Sequence, residues 1–414
     1  MPPPTSTHAA PLIVNEEPGV KLPVKLPKSP PWFLDGVFIS SAVTLTQSAL
    51  GGGVLAYPFC FMSAGVVGGA VLLVAMTSLN TCALFCITYC MAKAREADRS
   101  VTDYTSLIHY GCGACVARVL KWIILFFEFG ACISFIVLLT DEVKPVLDLT
   151  GLHLSRSIVS VLVGLPCALL SSLRSISALK YTAILGVSAT FLMVALLISQ
   201  AAKHPCQEGA CFDETGRDGW PKGGVGVTLW PLSAINAVRA MGLVCFAGQM
   251  HLQIALVYPD LPPRLALVPH KRNGIAALAG LLLVLIYLPV GVGGFVSFGA
   301  ATQGDVLTNF ADGTKFADAA RAGVALAVMA SYPMQHKPAV PIFWDRWRAC
   351  TGSTSAEPTT VFLVVEAWVW TGLTVVLAIA AGSKLAVVFQ VRPPQKWRPN
   401  PRRRASPLHA CLCV

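Results

Sequence analysis

Apolar residues are gathered along this chain into nine long runs, and short polar segments separate them. Several runs reach the roughly 20 residues that an α-helix needs to cross a bilayer. The pattern therefore predicts an all-α polytopic membrane protein. The predicted spans cover residues 37–64, 66–92, 117–140, 157–173, 178–201, 232–257, 274–298, 319–343 and 361–382.

Two of these runs are interrupted, the first by three consecutive glycines and the sixth by a single glycine. An unpaired backbone group in a bilayer costs several kcal/mol, so broken helices survive there only where they line a protein cavity. The interruptions thus predict a ligand site, although glycines also serve simple close packing of helices. The candidate substrate-binding residues are Gly51, Gly52, Gly53, Phe246, Ala247 and Gly248.

Charge changes this picture only slightly. Charged residues make up 13% of the chain, against about 25% in soluble domains. The net charge of +10 lies largely in loops and the C-terminal tail, so it does not indicate a nucleic-acid partner. The bias of Lys and Arg between alternate loops predicts a cytosolic N-terminus. We expect a disordered cytosolic tail over 1–35, a transmembrane domain over 36–391 embedded in the lipid bilayer, and a basic tail over 392–414.

Several motifs occur in order along the chain, beginning with QSALGGGVL followed by YPF at 47–59 and ending with SYPM at 331–334. Together they resemble the amino acid/auxin permease family, of the sodium-coupled neutral amino acid transporter type. The resemblance implies an inverted five-plus-five repeat of the amino acid/polyamine/organocation type, with broken first and sixth spans around a midplane substrate. The family usually has eleven spans and the match stops in the ninth, so we expect a truncated chain.

The resemblance also implies a sodium site between the first and eighth spans, at Gln47 and Ser331. A carboxamide oxygen and a hydroxyl are suitable donors for a hard cation. Gln47 stands where the family usually has Asn, and Ser331 has the alternative of bonding its own helix. Glu128 and His251 are the candidates for a coupling proton; for both, the alternative is a structural side chain with satisfied hydrogen bonds.

No nucleophile–base pair or metal cluster is evident in the sequence, so we expect neither an enzyme nor a cofactor beyond a coupling sodium ion or proton. Cys206 and Cys211 share the longest loop between spans and are candidates for a disulfide. The predicted function is secondary active symport of neutral amino acids by alternating access, in the plasma membrane or a vacuolar or lysosomal membrane. The alternative is an amino acid sensor or an inactive truncated membrane protein.

Overall fold

The computed structural model describes residues 33, 35–51, 53–98, 100–174, 179–203, 227–231, 233–310, 315–352, 355 and 357–381. The predicted C-terminal tail, the predicted N-terminal tail apart from Phe33 and Asp35, and the Cys206–Cys211 pair lie outside this part of the chain and stay predictions. Within it, the regular structure is helical. The α-helices are α1 (Gly36–Ala49), α2 (Gly53–Ala64), α3 (Val66–Ala97), α4 (Tyr104–Leu149), α5 (Arg156–Ser171), α6 (Lys180–Lys203), α7 (Ala234–Ala247), α8 (His251–Val257), α9 (Pro263–Ala266), α10 (Pro269–Phe298), α11 (Lys315–His336), α12 (Val340–Thr351) and α13 (Thr360–Ala381).

Among the described residues, six helical stretches are long and apolar enough to cross a membrane, and a seventh is obtained when α1 and α2 count as one bent span. The prediction of a polytopic helical protein is confirmed, but the prediction of nine such spans is not. The predicted fourth span is α5, which has only 16 residues. The predicted eighth span is α11, which carries charged and polar residues towards both ends.

The predicted end of the third span, at Asp141 and Glu142, is wrong. Helix α4 continues through both acids to its end at Leu149. Asp141 pairs with Arg156, and the buried Glu142 lies 3.9 Å from the guanidinium of Arg321. Glu is a good helix former, so these acids are a poor sign of a helix end, and basic groups from neighbouring elements lie beside both of them.

The predicted continuation of the eighth span to residue 343 is also wrong. Helix α11 ends at His336, and a 3₁₀ turn over Lys337–Ala339 precedes α12. Pro338 lies in that turn, and a proline has no N–H to continue an α-helical hydrogen-bond ladder. The α-helical hydrogen-bond pattern therefore ends at His336.

The broken helices lie at the centre of the bundle. Helix α1 packs against α6, α10 and α11, whereas α2 packs against α3, α7 and α10. The axes of α1 and α2 differ by 65° across the glycine break. The second interruption separates α7 from α8 at residues 248–250. Both breaks thus occur where the glycines predict them.

Candidate substrate and cation sites

The two helix breaks are in direct contact. Gly53 begins α2, and a Cβ atom placed there would lie only 2.7 Å from the Cβ of Ala247 at the end of α7. The buried hydroxyl of Tyr287 on α10 lies 2.8 Å from the carbonyl of Ala49 and 3.1 Å from that of Ala247. Its one proton can be shared between these two acceptors. The breaks therefore form one site, and Tyr287 on α10 contacts both of them.

A side chain on α3 forms a hydrogen bond with the second break. Asn80 Nδ2 donates a 3.3 Å hydrogen bond to the carbonyl of Gly248. A Cβ at Gly248 would lie 2.6 Å from the same nitrogen, so only glycine leaves room for this contact. The sequence reasoning missed both Asn80 and Tyr287. The only feature of the sequence that could have indicated them is a polar side chain within an apolar run. A polar group in a bilayer is unfavourable unless it has a hydrogen-bond partner.

A small cavity lies between the breaks. Its volume is ≈ 20 Å³, which is room for about one water molecule. Phe135 lines it, and its ring packs against Gly51, where a Cβ would lie 2.3 Å from Phe135 Cζ. An amino acid does not fit in this space, so the surrounding helices must separate to admit one. The lining residues include Ser48, Ala49, Gly51, Gly53, Ala247 and Gln335.

The chemistry of the breaks suits a zwitterion. The first N–H groups of a helix have no partner within it and carry positive partial charge, which favours a carboxylate near the start of α2. The last carbonyls of a helix favour a cation, and α1 and α7 end beside the same cavity. Gly51, Gly53 and Ala247 line this cavity, whereas Gly52 falls outside the described residues, and their role in substrate binding stays a prediction. Phe246 also lines the cavity, with its ring 5.8 Å from that of Phe127.

A second site joins α1 to α11. Gln47 Nε2 donates to the carbonyl of Ala327 at 2.7 Å and to Ser331 Oγ at 2.6 Å. The hydroxyl of Ser331 in turn lies 2.8 Å from the carbonyl of Gln47 and 2.6 Å from that of Leu50. It also lies 3.0 Å from the carbonyl of Ala327 on its own helix. The structure thus brings together the two residues predicted for sodium, and it contains the alternative bond as well.

These atoms fit a small hard cation. Three backbone carbonyls and one hydroxyl converge, and Gln47 Oε1 is buried without a hydrogen-bond partner in the described part of the chain. Half a turn of the carboxamide would exchange its nitrogen for Oε1 and complete a set of oxygen donors. The longer side chain of Gln47 is accommodated at Gly186 on α6, where a Cβ would lie 2.5 Å from Oε1.

The two residues predicted to bind a coupling proton take no part in the hydrogen bonds between Gln47 and Ser331. Glu128 on α4 is fully buried, and neither carboxylate oxygen has a hydrogen-bond partner among the described residues. An isolated charge at such a position costs far more than the neutral acid. His251 is the first residue of α8 and is only partly buried. Both residues stay candidates for proton binding.

Comparison with known proteins identifies the family of this chain. A family model described as transmembrane amino acid transporter protein matches residues 36–386. The chain belongs to this family. It is similar to the sodium-coupled neutral amino acid transporter 7 of Danio rerio, with 24% identity over 84% of this chain and 72% of the relative.

Further relatives have the same degree of similarity. The human sodium-coupled neutral amino acid transporter 7 is 24% identical over 81% of this chain and 71% of its own length. The human solute carrier family 38 member 8 is 26% identical over 81% of this chain and 76% of its own length. The resemblance found in the sequence is confirmed. The protein is an integral multi-pass membrane protein of a transporter family and not an enzyme.

Proposed function

We propose that this protein moves neutral amino acids across a membrane by alternating access, with the substrate bound at the two helix breaks. The observation that carries the proposal is the direct contact of Gly53 with Ala247 and the hydroxyl of Tyr287 shared between both breaks. Broken helices that meet in the middle of a bundle form the substrate sites of inverted-repeat transporters. The cavity has room for about one water molecule, so helices around it separate when the substrate binds.

We further propose that transport is coupled to a cation, because a zwitterion is concentrated only by a coupled gradient. Gln47 and Ser331 would hold a sodium ion with the carbonyls of Leu50 and Ala327. When bound, the ion would supply positive charge to oxygens that now accept from the Gln47 amide and the Ser331 hydroxyl. Since Leu50 caps the end of α1 beside the substrate cavity, these residues link the cation site to the first break.

The remaining features of this proposal follow the family. They are an inverted five-plus-five repeat, a cytosolic N-terminus, and a plasma, vacuolar or lysosomal membrane. A proton is the second candidate for the coupling ion, because Glu128 is buried without a partner in the described residues.

The test is uptake by purified protein in liposomes, measured for a panel of radiolabelled neutral amino acids. Sodium and pH gradients are imposed separately. Stimulation by sodium that disappears in Ser331→Ala supports the site between α1 and α11. Stimulation by external acid that disappears in Glu128→Gln, and persists in Ser331→Ala, supports the proton. Uptake that responds to neither gradient contradicts coupling, and binding without uptake indicates a sensor.

A further inference from the structure

The end of α1 is held to other helices through its backbone carbonyls. Polar side chains lie between 2.6 and 2.9 Å from all four carbonyls of residues 47–50, namely Tyr287 on α10 and Ser331 and Gln335 on α11. The last carbonyls of a helix have no partner within it, so they accept from such donors. Of these three side chains, only Gln335 also lines the cavity between the breaks. An amino acid that enters the cavity therefore meets this donor.

The hydrogen bonds of Gln335 determine which end of its carboxamide faces α1. A backbone carbonyl only accepts, so the atom that lies 2.9 Å from the carbonyl of Ser48 is the donor Nε2. The other end, Oε1, accepts a 3.1 Å hydrogen bond from Nε2 of Gln253 on α8. The carboxamide therefore connects the end of α1 to α8, the helix that follows the second break.

The bond from Gln335 to Ser48 uses an acceptor that suits an amino acid. The ammonium group of an amino acid has three N–H donors and no acceptor, so it binds to oxygens. The negative end of the α1 dipole offers carbonyls beside the cavity, at Ser48 and Ala49. In this structure the carbonyl of Ser48 accepts from the Gln335 amide. The amide therefore competes with an ammonium group for this oxygen.

We propose that Gln335 is a positioning residue whose amide occupies the place of the substrate ammonium group at the carbonyl of Ser48, and that the amino acid displaces it. The inference rests on the proposed function, because it requires an amino acid at the helix breaks. Displacement breaks the hydrogen-bonded connection from α1 through Gln335 to Gln253 on α8. The ends of α1 and α8 are then released from each other as the cavity enlarges.

The expected change in affinity has the opposite sign to that of a structural defect. Methionine resembles glutamine in length and volume but has no N–H to donate, so Gln335→Met leaves the carbonyl of Ser48 to the substrate. The affinity for amino acid should rise roughly two- to tenfold, since one competing hydrogen bond is lost. Without amino acid the variant should unfold at a lower temperature than the wild type. This difference should shrink at saturating amino acid, because the bound state lacks the bond in both proteins.

The test is equilibrium binding to the purified full-length protein, with each neutral proteinogenic amino acid in tritiated form. Thermal unfolding is measured on the same preparations, with and without amino acid. A second variant, Gln335→Asn, shortens the side chain and withdraws the amide from Ser48, so its affinity should rise as well. The matched control is Gln303→Met, which makes the same chemical change at a partly buried glutamine that accepts from Thr308 between α10 and α11. Its affinity should equal that of the wild type.

The outcomes separate the inference from the proposed function. Tighter binding in Gln335→Met and Gln335→Asn, with wild-type affinity in Gln303→Met, supports the displacement. Weaker or unchanged binding in the Gln335 variants overturns it and leaves the proposed function intact, and so does an equal rise in Gln303→Met. Absence of binding in every protein, including the wild type, refutes the proposed function and the inference together. If Gln335→Met does not fold, Gln335→Asn decides between these results.

Discussion

Replacing Gly53 with alanine should block the substrate site without disturbing membrane insertion. The new Cβ would lie 2.7 Å from the Cβ of Ala247 and 3.4 Å from its Cα. Carbon atoms in contact normally lie about 3.5–4.0 Å apart, so the start of α2 and the end of α7 must separate by about 1 Å. Alanine is also the better helix former, so local weakening of α2 does not explain a loss.

The size of the effect follows from this overlap. Overpacking a filled interior costs about 1–3 kcal/mol. Every 1.4 kcal/mol is a factor of ten in an equilibrium constant, so the affinity for amino acid should fall by roughly 5- to 150-fold. The loss is this large if the contact between Gly53 and Ala247 persists when the other helices that line the cavity separate to admit the substrate.

The assay is uptake into liposomes, with insertion and thermal unfolding measured on the same preparations. The matched control is Gly242→Ala on α7, where an added Cβ meets no atom within 4 Å. The double variant Gly53→Ala with Ala247→Gly removes the closer overlap and should recover most of the uptake. Equal uptake by Gly53→Ala and Gly242→Ala, or no recovery in the double variant, would refute the argument.

Three further changes test other contacts. Tyr287→Phe removes the hydroxyl shared by both breaks and should lower stability by about 1–3 kcal/mol, measured by thermal unfolding with uptake alongside; an unchanged melting temperature would contradict the bridge. Gly186→Ala should displace the Gln47 amide and reduce the stimulation of uptake by the coupling cation. Adding Gln47→Asn, which shortens the side chain, should restore the stimulation. If the double variant behaves like Gly186→Ala alone, the steric explanation fails. Arg321→Met leaves Glu142 buried without its basic partner and should destabilise the fold by about 3–5 kcal/mol, and a wild-type unfolding curve would show that the pair contributes nothing.

The helices and both breaks could be predicted from the sequence because their causes are local. A helix in a bilayer satisfies its own backbone hydrogen bonds, so a long apolar run is sufficient to indicate one. The glycines between Ala49 and Gly53 weaken the helix where they stand, and the chain does interrupt there. Helix ends were harder to predict, because Asp141 and Glu142 resemble the end of a span but remain within α4, beside basic groups from other elements.

Only the tertiary structure decided which side chains meet. Gln47 and Ser331 are 284 positions apart and were paired in advance through the family resemblance, not through any local pattern. No local pattern indicates that Tyr287 would bridge two breaks, or that Gly186 would make room for Gln47. His336 on α11 lies in hydrogen-bond contact with Glu366 on α13. Neither residue was singled out from the sequence, since a lone titratable residue in an apolar run indicates a polar partner but not its position. That partner is set by helix packing, which depends on the whole bundle and not on any one segment.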